Sequence, residues 1–72
     1  MSSRLPVVSG AATIDALRRT GFEQVSQRGS HVKLRRDDLT VIVPLHRELA
    51  PGTLRSVLRQ ARMTVHEFVS LL

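Results

Sequence analysis

An α+β fold, a three-stranded antiparallel sheet with helices on one of its faces, is what this sequence predicts, on three observations. The stretch His31-Val32-Lys33-Leu34-Arg35-Arg36 alternates Val32 and Leu34 with His31, Lys33 and Arg35, the period of a half-buried strand. Thr40-Val41-Ile42-Val43 is a β-branched run of the kind that suits a pleated surface. Leu54, Val57, Leu58 and Ala61 then fall at i, i+3, i+4 and i+7, the stripe of an amphipathic helix. Three antiparallel strands cannot stand alone, so helices must cover one face.

Residues 1–8 read as an N-terminal lead-in, with Met1-Ser2-Ser3-Arg4 disordered, and residues 9–72 as a single domain. Ser9 caps a first helix that carries Ile14 and Leu17 one turn apart and has Arg18 and Arg19 in its last turn. Gly21 supplies the left-handed stop. Phe22 to Arg28 is a weakly patterned first strand. Gly29-Ser30 turns the chain into the His31–Arg36 strand, and Asp37-Asp38 turns it again into the third strand, which Pro44 ends because proline cannot donate to the ladder. Leu45 to Ala50 is a loop. Pro51 opens the amphipathic helix, where the first turn accepts proline, with Arg55, Arg59 and Arg62 on its other side. A short last helix starts at Thr64 with capping-box spacing to Glu67 and is expected to bury Val65, Phe68, Val69 and Leu72. The α-β-β-β-α order, with an additional short C-terminal helix, is the layout of a double-stranded-RNA-binding domain. Val32, Leu34, Val41 and Val43 belong under the helices, and His31, Lys33 and Arg35 on the open face.

Composition narrows the function. A chain of 72 residues buries only roughly 60% of its unfolded surface. It has no cysteine to form a disulfide or a thiolate metal site, which suits a reducing cytoplasm. No apolar run reaches membrane-spanning length and no secretory leader is visible. Eleven basic residues against six acidic ones leave a net charge of +5, and every basic residue but Lys33 is arginine. Arginine's planar fork pairs bidentately with phosphate, so nucleic acid is a natural partner; a merely solvated basic surface is the competing reading. Phe22 and Phe68 are the only aromatic residues, too few to stack bases as single-strand readers do. Contacts to RNA should therefore run through phosphate, sugar and shape.

An imidazole is the side chain that ordinarily exchanges its proton near neutral pH, and His31 sets one among fixed cations on an open sheet, which suits proton transfer on a phosphodiester. Its competing reading is an exposed strand histidine with no task. His46, in the loop after the third strand, is a possible second proton carrier; alternatively it bonds local backbone or Glu48. His66 reads as a solvated residue of the last helix. The three histidines lie far apart and share no helix face in a ligand pattern, so no metal is expected.

The set Ser9-Gly10, Gly21-Phe22, Gln27-Arg28-Gly29-Ser30-His31, Val43-Pro44-x-His46, Glu48-Leu49 and Pro51-Gly52-Thr53-Leu54-Arg55, with Leu58 and Gln60-Ala61, resembles the HicA (YcfA-like) toxin family. The likeness runs from Ser9 to Leu72. Gly-Ser-His alone is a common tripeptide; the ordered set is specific. The resemblance implies a double-stranded-RNA-binding-domain-like fold and a toxin that cleaves mRNA without metal or other cofactor. It also implies a HicB-type antitoxin partner encoded beside it, and His31 as the catalytic residue. Arg28, Ser30, Lys33 and Arg35 are the candidate substrate-binding residues around it. One departure is Arg62, where the family usually has glycine after Gln60-Ala61. Arginine there either adopts a positive φ at modest cost or lets the helix end differently.

Overall fold

The computed structural model describes residues 4–72, so the expected disorder of Met1-Ser2-Ser3 lies outside the described residues. The elements are α1 (Gly10–Arg18), β1 (Glu23–Arg28), β2 (His31–Arg36), β3 (Leu39–Pro44), α2 (Pro51–Ala61) and α3 (Val65–Val69). The strands form one antiparallel sheet in the order β1-β2-β3, with helices on one face, the layout the sequence predicts.

Local chemistry sets most of the boundaries. Ser9 is extended and its Oγ accepts a hydrogen bond from the Ala12 N–H at 3.0 Å, satisfying an amide that α1 cannot. Gly21 sits at φ +99° where the chain leaves α1 for the sheet. Gly29 at φ +58° lets Gly29-Ser30 close the hairpin that pairs Arg28 with His31. Asp37, at φ 53°, does the same for the turn that pairs Arg36 with Leu39.

Two strand limits shift from the sequence reading. Phe22 precedes β1 instead of opening it, and it lies buried with the Arg36 guanidinium 4.5 Å from its ring centroid. β3 runs one residue further at each end, with Pro44 as its last residue, opposite His31.

The core lies between the sheet and the helices. Val32, Leu34, Val41 and Val43 are all buried, against Leu17, Leu54, Val57 and Phe68. Val8, ahead of Ser9, is buried too, and its carbonyl accepts from the Leu49 N–H at 2.8 Å. β1 is different: all six of its residues are exposed, so it projects past the helical cover.

The last helix corrects an expectation. Of Val65, Phe68, Val69 and Leu72, only Phe68 is buried; Val69 is 45% and Leu72 54% exposed. A five-residue helix makes little more than one turn, so Phe68 alone is fully covered, Val65 one turn before it packs partly against the core, and the neighbouring Val69 turns about 100° away.

α2 ends in a left-handed residue. Arg62 adopts φ 54°, ψ 46°, its N–H donates to the Arg59 carbonyl at 3.1 Å, and the Met63 N–H donates to the Leu58 carbonyl at 2.9 Å. Of the two ways an arginine could end this helix, the chain takes the strained one, at a cost of about 1 kcal/mol relative to glycine.

The capping box at Thr64 is complete. Thr64 Oγ1 accepts from the Glu67 N–H at 3.0 Å, and Glu67 Oε1 accepts from the Thr64 N–H at 2.8 Å. The Thr64 backbone hydrogen bond, then its side-chain hydrogen bond, hold the Glu67 carboxyl below the usual range. A depressed carboxyl stabilises the fold above its unfolded pKa, and that contribution is lost as pH falls through the folded value. Thr64→Ala should cost about 1 kcal/mol near neutral pH through the lost N-cap. Part of the acid-side loss of stability should vanish with it, checked by urea unfolding at neutral and acidic pH.

Candidate nucleic-acid interface

The alternation of β2 sorts its side chains onto two faces: Val32 and Leu34 are buried, while His31 and Arg35 are exposed and Lys33 partly so. Register then assembles the open face from three strands. Arg28 and Pro44 lie opposite His31, Ser26 and Ile42 opposite Lys33, and Glu23 and Thr40 opposite Arg35. A bulge between Gln24 and Ser26 absorbs Val25 as an extra residue. That extra residue lets Glu23, Ser26 and Arg28 all share the open face.

Ser26, Arg28, His31, Lys33 and Ile42 line a depression of about 280 Å³ on this face. His31 is thus brought beside two of its predicted partners, Arg28 and Lys33. Arg35 lies on the same face one row beyond, across from Glu23, whose opposite charge offsets it. Ser30 stands in the turn outside the depression, and its carbonyl accepts from the Leu45 N–H at 2.7 Å. Ile42 and Ser26 were not foreseen; β-strand alternation could have put both on this face, Ser26 two residues from Arg28 in the unbroken hairpin register, and only Glu23 depends on the bulge.

His46 is exposed and does not line the depression. Its backbone is nonetheless anchored, because the Gly10 N–H donates to the His46 carbonyl at 2.9 Å. Gly10 itself packs against Pro44 so closely that a Cβ there would overlap the Pro44 carbonyl oxygen. The start of α1 therefore clamps the strand end that pairs with His31, a contact no sequence pattern announced. The outer edge of β3 is tied as well, where Gln60 Oε1 accepts from the Ile42 N–H at 2.9 Å.

Chemically, the depression offers an imidazole open to solvent beside a guanidinium and an ammonium. The Arg28, Lys33 and Arg35 side chains form no hydrogen bond or ion pair among the described residues, so their donors are available to an anion. Both phenylalanines are buried, so neither can stack a base. Among the described residues no group of three or more histidine or acidic side chains could hold a metal ion, and no helix is long and apolar enough to cross a membrane. No curated protein matches the chain. A family model described as the HicA toxin of bacterial toxin–antitoxin matches residues 11–63, which take in all three strands, α2 and most of α1.

Proposed function

This chain belongs to the HicA toxin family of bacterial toxin–antitoxin systems, and from that premise we propose that it is an endoribonuclease that cleaves mRNA in the cytoplasm. Family membership implies an antitoxin partner. The observation that carries the catalytic reading is His31, exposed in a cationic depression on the uncovered side of the sheet instead of packed beneath the helices.

Cleavage of RNA without metal needs a base to take the 2′-hydroxyl proton, an acid for the departing 5′-oxygen, and positive charge near the phosphorane. His31 fills one proton role. Lys33 and Arg28 hold the phosphate beside it, Arg35 extends the cationic track, and Ser30 orients the imidazole or donates to the substrate. One imidazole rarely serves as base and acid at once, and His46, anchored through its carbonyl to α1, is the candidate for the other role. The lack of exposed aromatics directs recognition to phosphate, sugar and shape.

Wild-type protein should release product from single-stranded RNA in the presence of EDTA. Salt-sensitive binding without cleavage would instead make the chain a non-catalytic RNA-binding module, since both readings share the arginine contacts. The partner is taken to be a HicB-type antitoxin whose acidic surface covers the open face. Diethyl pyrocarbonate should then modify His31 in the free toxin and not in the complex. Equal modification of both would show that inhibition works at a distance.

A further inference from the structure

A second cationic site lies at the far end of the domain. Thr20, Arg36, Arg62, His66, Glu67 and Ser70 are among the residues lining a cavity of about 370 Å³ between the end of α1, the end of α2 and α3. Arg36 is held in place there: its guanidinium donates to the Thr20 carbonyl at 2.7 Å and lies over the Phe22 ring. With five donors on a guanidinium, most remain free for a ligand. Arg62 reaches the same cavity from its left-handed position, and its side chain forms no hydrogen bond or ion pair among the described residues. Glu67 is the one acid in the lining, and its carboxylate already accepts from the Thr64 N–H. A bulky cation thus occupies a backbone position that suits glycine better, and its charge is used by nothing else within the fold.

Resting on the reading of this chain as an RNA-cleaving toxin, we infer that Arg36, Arg62 and His66 form a second anion site that holds a backbone phosphate of the bound RNA, remote from the cleavage point. The geometry favours RNA over a folded protein. Arg35 and Arg36 are adjacent and point to opposite faces of β2, which spans roughly 17 Å from His31 to Arg36 at 3.3 Å per residue. A flexible polyanion that crosses the open face past His31, Lys33 and Arg35 can bend around this end of the sheet and meet Arg36 and Arg62. A rigid acidic surface docked on the open face cannot follow that path.

The test compares His31→Ala protein, which binds without cleaving, with the same protein carrying Arg62→Gly. Glycine suits the left-handed helix end, so melting temperature should hold or rise, and a folding defect cannot mimic the result. Affinity for a long single-stranded RNA, followed by fluorescence anisotropy across a salt series, should weaken about three- to tenfold. The slope of log affinity against log salt should become shallower by about 0.7, one phosphate contact on a single strand. Arg62→Lys should restore most of both. A trinucleotide, too short to reach from His31 to Arg62, should bind both proteins alike. Unchanged affinity and slope for the long RNA overturns the site, while EDTA-resistant cleavage by the wild type would leave the ribonuclease reading standing. Weaker antitoxin binding with RNA binding unchanged also overturns it and assigns the cavity to the partner. RNA bound in an Arg62-dependent way by a wild type that cannot cleave it would keep the site and remove the ribonuclease.

Discussion

His31→Ala should lower the rate of RNA cleavage by about 10²–10⁴-fold, the range that a positioned proton carrier contributes. Stability should barely move, because the imidazole is exposed and surface substitutions away from caps and cores usually stay within about 0.5 kcal/mol. That contrast is what makes the experiment decisive: a dead protein with an unchanged urea midpoint has lost chemistry, not structure. Binding of RNA by the variant should persist through Arg28, Lys33 and Arg35, which remain free to pair with phosphate. Full cleavage by a folded His31→Ala protein would remove the histidine from the mechanism and leave the depression as a binding surface only.

Gly10→Ala should destabilise the protein by about 2 kcal/mol, within the range for forcing a methyl group into a packed position. The sign is the informative part. In an unhindered helix, alanine is more stable than glycine by roughly 0.5–1 kcal/mol, so helix propensity alone predicts the opposite result. Here the added Cβ would fall on the Pro44 carbonyl oxygen, a backbone atom that cannot turn aside. Either α1 withdraws, breaking the Gly10 to His46 hydrogen bond, or Pro44 shifts and disturbs the strand opposite His31. Cleavage should therefore fall together with stability. Gly52→Ala is the matching control, since a Cβ there meets nothing within 4 Å and the substitution should be neutral or stabilising. Urea unfolding and cleavage rates measured on both variants check the pair.

Much of this was legible beforehand, and the exceptions share a cause. The two faces of β2 follow from alternation within six residues, so the exposure of His31 and the burial of Val32 and Leu34 could be read directly. The caps at Ser9 and Thr64 likewise depend on side chains three residues from the amides they bind. The last helix misled because an apolar sequence says which residues can be buried, not which are. With Phe68 turned inward and Val65 partly covered beside it, Val69 and Leu72 face outward whatever their hydropathy.

What the sequence determined by itself was the set of elements, the side of the sheet that carries the cations, and the exposed imidazole among them. These are encoded by sterics and spacing over two to four residues. Only the tertiary structure decided that a bulge at Val25 puts Glu23 on the face that the hairpin register gives to Ser26, Arg28 and His31, and that Gly10 seats against Pro44. It alone decided, too, that Arg62 closes α2 in the left-handed form and shares a cavity with Arg36. Each of these joins segments distant along the chain. Their meeting depends on how closely packed backbones approach, a quantity that no local pattern of residues records.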